Sequence, residues 1–290
     1  MPELPEVETV RRTVAAATRG KTVIGGALTR ADMWNGDCAW NDLIPAWVGR
    51  PLNEPTRAGK QLAFTAAGNK RSPAVCVHLG MSGRLCMHQP QGTLPNHTHW
   101  WLTFDDGTKL AFTDPRRFGG LWGFECLEAL QAKRWSALGD DALTIGPAKL
   151  HRGLSGTRRA LKAALLDQSL VAGLGNIYVD ELLFAVRLSP WTPGSDVSRK
   201  DCERLVRAMR TLLQKAIAAG GTTLRDYVDA DGNAGGFAIK HRAYGRGGLK
   251  CTRCRAALCS ASLAQRTTVW CGHCQGDPHQ ALALEKKEVL

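Results

Sequence analysis

The sequence predicts an α+β protein, and three observations lead to this fold class. The chain opens with a helical pattern, changes to alternating apolar and polar residues, and then returns to helical spacing. Two close cysteine pairs near the C-terminal end add a small metal-binding module. The length of 290 residues leaves room for about two domains with sizeable cores.

The first element is an amphipathic helix predicted over Glu6–Arg19. Val7, Val10 and Val14 share one stripe of this helix, and Gly20 stops it. From Lys21 to about Glu125 the pattern changes to strands and turns. Three segments are predicted as strands, at 75–79, 98–104 and 109–112, and the last two flank a hairpin turn at 105–108.

Helical spacing returns after about Asp140. Three helices are predicted there, at 158–166, 177–186 and 199–219. The turn Gly173-Leu174-Gly175-Asn176 precedes the second of them. Residues 31–47, which include three tryptophans, give no clear prediction.

Composition narrows the class of partner. Lys and Arg total 38 against 26 Asp and Glu, so the net charge is +12. Such an excess favours a polyanion, with nucleic acid ahead of an acidic membrane surface. No stretch of about 20 apolar residues is present, so we expect no membrane association and a soluble, cytoplasmic protein.

The spacing of the ten cysteines predicts a metal site. Cys251-x2-Cys254 and Cys271-x2-Cys274 each supply two thiolates from one tight knuckle, which together complete a tetrahedral structural zinc site. Four protein ligands close the site and make a catalytic metal improbable. Five other cysteines are scattered singly among apolar neighbours, as buried reduced thiols usually are: Cys38, Cys76, Cys86, Cys126 and Cys202.

The first residues combine a proline and a carboxylate. Removal of Met1 would leave Pro2 with a free secondary amine, which can attack an aldehyde-level carbon and give a permanently cationic iminium ion. Glu3 could then deliver a proton as a general acid. The alternative is that both residues simply open the first helix.

Other residues are candidates for contacts with a nucleic acid. Asn176 is predicted as a helix N-cap whose side chain could meet a phosphate, although most such residues only cap. Lys60 is either a phosphate contact or a surface charge. Arg266 lies near the turn of a hairpin predicted over Ser260–Trp270, where it is either a phosphate probe or a solvated arginine.

Two turns carry candidate wedge residues. The turn Asp114-Pro-Arg-Arg-Phe-Gly119 presents an arginine and an aromatic ring, a pair suited to insertion into a base stack. Met81 lies between glycines in His78-Leu-Gly-Met-Ser-Gly83, although a buried methionine is the commoner explanation.

Taken together, these segments closely resemble the formamidopyrimidine-DNA glycosylase family of bacterial base-excision repair enzymes. The resemblance runs along nearly the whole chain, in family order, through MPELPEVETVRR, RAGKQL, HLGMSGRL, TDPRRFGG, DQSLVAGLGNIYVDELLF, GGTTLRDYVDADG and AQRTTVWCGHCQ. It implies four parts: an N-terminal helix with a catalytic β-sandwich domain (1–130), a helix–two-turn–helix domain (140–228), a lesion-capping loop and linker (229–248) and a β-hairpin zinc finger (249–276). It also implies a monomer that holds damaged double-stranded DNA in a basic cleft.

The resemblance further implies a bifunctional DNA glycosylase and AP lyase that excises oxidised purines, such as 8-oxoguanine and formamidopyrimidines. Pro2 would form a Schiff base with the sugar, Glu3 would protonate the ring oxygen, and β,δ-elimination would cut the strand. The implied catalytic residues are Pro2, Glu3, Lys60 and Arg266. The implied DNA contacts are His97, Arg116, Arg158 and Asn176, and the residues that fill the gap left by the flipped nucleotide are Met81, Arg116 and Phe118.

Two alternatives remain open at this point. Many relatives have a lysine where Asn233 stands and an aromatic residue where Gly236 stands, in the loop that caps the damaged base. These departures support a glycosylase that prefers oxidised pyrimidines, as endonuclease VIII does. A non-catalytic damaged-DNA-binding protein is the other alternative, although the presence of Pro2, Glu3 and Lys60 opposes it.

Overall fold

The computed structural model describes residues 2–68, 72–223 and 227–276. These residues form two compact units. Unit 1 extends to residue 137 and includes 216–238, and unit 2 comprises 138–215 together with the chain from residue 239. The four-part division drawn from the sequence stays a prediction. Within the described ranges, no helix is both long and apolar enough to cross a membrane.

Unit 1 begins with the predicted amphipathic helix. Helix α1 spans Leu4–Thr18, and its buried valines are the three of the predicted stripe, Val7, Val10 and Val14. Two shorter helices follow in this unit, α2 (Trp40–Trp47) and α3 (Leu127–Lys133).

Ten strands of unit 1 form two five-stranded sheets. In chain order they are β1 (Thr22–Leu28), β2 (Trp34–Gly36), β3 (Arg50–Pro51), β4 (Thr56–Ala58), β5 (Gln61–Thr65), β6 (Ala74–His78), β7 (Arg84–His88), β8 (Thr98–Phe104), β9 (Lys109–Thr113) and β10 (Gly120–Phe124). The strand orders are β3-β1-β8-β9-β7 and β2-β10-β6-β5-β4. All neighbours are antiparallel except β2 and β10. The three predicted strands are therefore confirmed to within one residue.

The core of unit 1 draws apolar side chains from both sheets, so the unit is the predicted β-sandwich. Its largest fully buried members include Trp100, Phe104 and Phe112 from one sheet and Phe64 from the other. The α1 valines belong to the same cluster. This burial fixes the helix on the sandwich and thereby sets where the chain start lies on unit 1.

Residues 31–47, which the sequence left unassigned, complete this core. They form a short 3-10 turn (Ala31–Met33), strand β2 and helix α2. Trp40 packs edge-on against Trp34 and Trp100, with ring centroids 5.5 and 6.3 Å away. The tryptophans therefore have a packing role.

Unit 2 is mainly helical. Its helices are α4 (Pro147–Ser155), α5 (Leu161–Leu166), α6 (Asn176–Val186), α7 (Arg199–Ala218, whose last residues belong to unit 1) and α8 (Gly272–Gln275). The predictions for α6 and α7 are confirmed to within one residue. The helix predicted over 158–166 is wrong at its start, because Thr157 accepts a hydrogen bond from the backbone of Arg159 in a turn that delays the helix to Leu161.

Two small two-stranded sheets complete unit 2. A parallel pair joins β11 (Asp140–Asp141) to β12 (Val171–Ala172). The predicted C-terminal hairpin is confirmed as β13 (Cys259–Leu263) and β14 (Arg266–Trp270). The turn residues Ala264 and Gln265 both have positive φ, the conformation that a tight two-residue hairpin requires.

Candidate active site and metal centre

The start of unit 1 is held by a reciprocal capping box. Glu3 is the N-cap of α1, and its backbone N–H donates to the Glu6 carboxylate at 2.8 Å. The other Glu6 oxygen accepts from the backbone N–H of Thr222 at 2.7 Å. Pro2 and Glu3 are both buried. The pair therefore does open the first helix, and the same bonds fix the position of the residues proposed as nucleophile and acid.

A buried carboxylate one turn further along α1 gathers three arginines. Glu8 accepts hydrogen bonds from Arg11, Arg12 and Arg57 at 2.8 to 3.0 Å. Burial alone would raise the pKa of Glu8, but the three guanidinium groups outweigh it and lower the pKa to about 2. Arg57 also donates to the carbonyl of Gly59 at 2.9 Å. Glu8 thus fixes the turn that precedes Lys60.

Lys60 lies in the turn between β4 and β5, close to a histidine that the sequence argument overlooked. His78 ends β6 and pairs in register with Gln61. Burial, together with the positive charges of Lys60 and Arg134, lowers the pKa of His78 to about 4. The imidazole is therefore neutral at pH 7, with its Nδ1 accepting from the Gly80 N–H at 3.2 Å. The sequence signal that could have identified His78 is a polar side chain at the end of a predicted strand, within the motif His78–Gly83.

Two adjacent turns present apolar side chains to solvent. Met81 is 41% exposed and Phe118 is 53% exposed, and the Arg116 guanidinium lies 4.6 Å from the centre of the Phe118 ring. The commoner expectation of a buried methionine is therefore wrong. Gly80 has φ +62°, and a Cβ there would meet the backbone of Phe118 at 2.3 Å, so only glycine allows the turns to touch. We call residues 80–83 and 114–119 the wedge turns.

Asp114 ties the two wedge turns together, a role the sequence argument also missed. Its carboxylate is fully buried and accepts from the Ser82 hydroxyl at 2.6 Å and from the Gly119 N–H at 2.7 Å. The Arg116 N–H adds a third bond at 3.3 Å. A short acceptor before a proline was the only sequence signal, and it indicated a local turn rather than a link between two turns.

His97, implied as a DNA contact, lies beside the same turns. Its side chain is exposed, its backbone has φ +65°, and its carbonyl accepts from the Asp114 N–H at 3.1 Å. Unit 1 therefore brings His97 next to the wedge turns through its backbone carbonyl. His78 joins the wedge turns to the Lys60 turn, because it accepts from Gly80 and pairs with Gln61.

In unit 2, Asn176 is the first residue of α6, and Gly175 is its N-cap. The predicted N-cap role for Asn176 is therefore wrong. The Asn176 amide instead donates to the carbonyl of Thr267 in the hairpin, at 3.0 Å, while its buried Oδ1 has no hydrogen-bond partner among the described residues. The asparagine thus links α6 to the hairpin.

Lys162 of α5 is fully buried, so it cannot contact a phosphate from the surface. Its ammonium group pairs with Asp180 at 2.6 Å and donates to the Thr267 carbonyl at 3.0 Å. Asp180 also accepts from the Val269 N–H at 3.1 Å. Burial raises the pKa of Asp180 to about 6, and the contact with Lys162 opposes this rise. The buried pair therefore attaches the hairpin to α5 and α6.

Two arginines of unit 2 remain exposed where the sequence implied DNA contacts. Arg158 lies in the loop between α4 and α5, and Arg266 begins β14 directly after the hairpin turn. Neither forms an ion pair with the residues that the structure describes. Both guanidinium groups are thus accessible to an anion.

The four predicted cysteines converge into one cluster. The sulfur atoms of Cys251, Cys254, Cys271 and Cys274 all lie within 4.8 Å of one another, and those of Cys254 and Cys271 are 3.4 Å apart. Backbone N–H groups of Arg253 and Cys274 point to the sulfurs of Cys251 and Cys271 at 3.4 Å. Four sulfurs about 2.3 Å from one ion would lie about 3.8 Å apart, so the cluster fits a tetrahedral metal site.

Comparison with known proteins matches the chain on both units. Residues 1–121 match the formamidopyrimidine-DNA glycosylase N-terminal domain, and residues 138–228 match the formamidopyrimidine-DNA glycosylase H2TH domain. A formamidopyrimidine-DNA glycosylase from Stenotrophomonas maltophilia is 40% identical over 280 residues, which is 95% of this chain and 100% of the relative. The relative from Neisseria meningitidis is 35% identical over 284 residues, with the same coverage.

Solved structures agree. The crystal structure of MutM (Fpg) from Thermus thermophilus is 38% identical and superposes with a TM-score of 0.82, covering 95% of this chain and 99% of that one. A Lactococcus lactis Fpg variant in complex with Fapy-dG containing DNA is 29% identical, with a TM-score of 0.86 over 95% of this chain and 100% of that one. Sequence and structure together place this chain in the formamidopyrimidine-DNA glycosylase family.

Proposed function

We propose that the protein is a bifunctional DNA glycosylase and AP lyase that removes oxidised purines from double-stranded DNA. The observation that carries the proposal is that unit 1 holds a buried Pro2–Glu3 pair, with Glu3 in a capping box, and also presents exposed wedge side chains on two linked turns. One group supplies the chemistry and the other supplies access to a flipped nucleotide. The names of the relatives agree with this reaction class.

The reaction begins at the secondary amine of Pro2. Its lone pair attacks the anomeric carbon of the damaged nucleotide, and the bond to the base breaks with its electron pair leaving on the base. The proton released from the Pro2 nitrogen neutralises the departing base. Glu3 donates a proton to the ring oxygen, so the ring opens to an iminium ion. Loss of a proton from C2′ starts β-elimination, in which the 3′ phosphate leaves with the electron pair of its bond to the sugar. Loss of a proton from C4′ then starts δ-elimination, in which the 5′ phosphate leaves in the same way, and water hydrolyses the remaining imine to free Pro2.

The wedge turns serve the extrusion that this chemistry requires. Flipping a nucleotide costs roughly a few kcal/mol in lost stacking and pairing. Met81, Arg116 and Phe118 would fill the gap and restore contact with the neighbouring bases. Because Met81 and Phe118 are already exposed, their insertion requires no rearrangement of the core of unit 1.

The remaining predicted residues grip phosphates. Lys60 and His97 would act from unit 1, and Arg158, Asn176 and Arg266 from unit 2. Lys60 and Arg266 would also assist the eliminations, Lys60 from a turn held by the Glu8 arginine cluster. Several phosphate contacts make binding strongly dependent on salt.

The metal is proposed to be zinc with a structural role. Four thiolates in a tetrahedral arrangement are the donor set that Zn²⁺ prefers, and they leave no open position for a water molecule. The ion would hold together the two cysteine knuckles that flank the hairpin carrying Arg266.

Oxidised purines are proposed as substrates because of the DNA bound in two similar solved structures. A Lactococcus lactis Fpg variant is bound to Fapy-dG containing DNA, and a MutM protein is bound to carbocyclic 8-oxo-G containing DNA. Asn233 and Gly236, where the sequence departs from many relatives, lie in the segment predicted as the capping loop. The backbone N–H of Asn233 donates to the Asp229 carboxylate at 2.8 Å, and the Gly236 N–H donates to the Ala219 carbonyl at 2.9 Å. The lesion assay below separates purine from pyrimidine preference.

Borohydride trapping tests the proposal. Duplexes carrying one oxidised purine or one oxidised pyrimidine, opposite each normal base, are incubated with enzyme and reductant. We expect a covalent adduct, formed most rapidly with the purine lesions, and a sharp fall in the Pro2→Gly variant, whose amine is primary. Absence of any adduct would indicate that the protein binds damaged DNA without catalysis. Unchanged trapping in Pro2→Gly would indicate that another amine is the nucleophile, with Lys60 as the first candidate.

A further inference from the structure

We propose that the groove between α4 and α7 binds an acidic peptide segment of a partner protein. This groove consists of two adjoining cavities of about 570 and 410 Å³, which share Pro147 and Glu203. Arg152 and Arg199 line the larger cavity, and Arg207 and Arg210 line the smaller. All of these residues belong to unit 2.

The first argument is that charge accumulates in the groove without being neutralised. Within the described part of the chain, Arg152, Arg199 and Arg207 form no ion pair, although all three are exposed. Some other basic residues of unit 2 are paired with carboxylates. Three such pairs are Lys149 with Asp140, Arg159 with Asp167 and Arg204 with Asp201. The groove therefore places three unneutralised guanidinium groups side by side, where an outside anionic partner can reach them.

Arg210 supplies a second argument because its position is fixed in advance. Its guanidinium donates to the carbonyls of Thr144 and Ile145 at 3.2 and 2.8 Å. Its Nε, in contrast, is buried and has no acceptor among the described residues. Arg210 therefore adds a positive charge of fixed position to the wall of the smaller cavity.

The shape and chemistry of the walls favour a peptide over a nucleic acid backbone. Glu203 lines both cavities, so a continuous chain of phosphates along the groove would meet a negative charge at its centre. Pro147, Ala148 and Val206 add apolar surface on which aliphatic side chains can pack. A segment that alternates acidic and apolar residues matches both features, because it can pair with the arginines and leave Glu203 facing its amide groups.

This site is separate from the proposed reaction. None of the residues proposed for catalysis, phosphate binding or base stacking lines the two cavities. Arg204, which follows Glu203, donates to the Val186 carbonyl at the C-terminal end of α6, the opposite end of that helix from Asn176. The groove can therefore recruit a partner while the enzyme holds DNA.

The test uses the full chain and a fluorescein-labelled peptide of alternating aspartate and leucine, followed by fluorescence anisotropy at low salt. We expect saturable binding that weakens about tenfold in the double variant Arg199→Glu/Arg207→Glu, because like charges then face the peptide. Lys200→Glu is the matched control, since Lys200 is exposed on α7 but lines neither cavity, and it should change the affinity by about twofold or less. A peptide with lysine in place of aspartate should not bind.

Borohydride trapping on a damaged duplex separates this proposal from the proposed function. The double variant should trap at the wild-type rate and unfold at the wild-type temperature. Equal peptide affinity in the wild type and the double variant would overturn the peptide site. So would loss of duplex affinity in the double variant together with displacement of the peptide by undamaged duplex, because the groove would then be part of the DNA track.

Discussion

The wedge turns of unit 1 and the hairpin of unit 2 are both small projections that carry candidate DNA contacts, yet they are attached in different ways. The wedge turns rest on a β-sandwich with a large core, and one buried carboxylate, that of Asp114, links them. The hairpin rests on a small cluster that includes Phe184, Leu258 and Val269.

This difference explains why only the hairpin needs a metal and a buried ion pair. A small cluster cannot bury enough apolar surface to offset the entropy of ordering its residues. The four cysteines and the Lys162–Asp180 pair supply the missing constraint. In unit 1 the sandwich already provides it, so hydrogen bonds to a single carboxylate are sufficient to shape the turns.

The largest difference between the regions should follow loss of the metal. Cys254→Ser removes one of four ligands, and binding of a structural zinc contributes on the order of 10 kcal/mol to the folding of a small module. We expect release of the metal, measured with a chromogenic chelator, and a fall of about tenfold or more in affinity for a damaged duplex. Hydrogen exchange in the unit 1 sandwich should stay unchanged.

Cys259→Ser is the matched control because Cys259 lies in β13, outside the four-cysteine cluster. It should keep both the metal and the affinity. If Cys254→Ser retains full affinity for DNA, the hairpin module does not take part in the grip.

The second largest loss of stability in the hairpin is expected from Asp180→Asn. Removing the carboxylate leaves the Lys162 ammonium buried without its counter-charge, which costs about 3–5 kcal/mol. The loss should appear as faster hydrogen exchange in β13 and β14 and as a lower unfolding temperature. A double variant, Lys162→Met with Asp180→Leu, should recover much of the stability; no recovery would show that packing, rather than the unpaired charge, causes the loss.

Asp114→Asn should destabilise less and act on the other region. The asparagine amide has one acceptor oxygen instead of two, so it cannot accept from both the Ser82 hydroxyl and the Gly119 N–H, and we expect a loss of about 2 kcal/mol. Exchange should rise in residues 80–83 and 114–119 but not in the hairpin, and trapping on a damaged duplex should slow. An equal rise in β13 and β14 would contradict the view that the two attachments are independent.

The last prediction concerns the pH dependence of unit 1. The folded-state pKa of Glu8 lies at about 2, below its ordinary value of 4.5, so its contribution to stability is present above about pH 4.5 and is lost as the pH falls towards 2. Chemical denaturation at several pH values should show the difference between wild type and Glu8→Gln shrinking over that interval. A difference that stays constant down to pH 2 would contradict the claim that the ionised Glu8 carboxylate stabilises the fold through its contacts with the arginines.

Much of this architecture could be predicted because its signals are local. The α1 stripe, strands β8 and β9 with their turn, and the cysteine knuckles each depend on neighbours within a few residues. Helix α4 was missed although Pro147 marks its start, since its apolar spacing is short. Residues 31–47 could not be assigned because β2 pairs in parallel with β10, far along the chain, and α2 contains Pro45.

The errors at the site have the same origin. Burial of Lys162 depends on Asp180, which lies 18 residues away, and the Asn176 side chain depends on the hairpin, 91 residues away. Neither partner can be seen in a local window. Exposure of Met81 depends on the close approach of two turns that Asp114 joins across 32 residues. Tertiary contacts, rather than local preference, decide these positions.

The most direct test of the central claim is a peptide map of the borohydride-trapped complex. The duplex carries one oxidised purine, and the reduced adduct is digested and analysed by mass spectrometry. We predict that the sugar remnant is attached to the N-terminal peptide, with Pro2 as its first residue and Met1 removed. Attachment to the peptide that contains Lys60, or an active enzyme that retains Met1, would contradict the account.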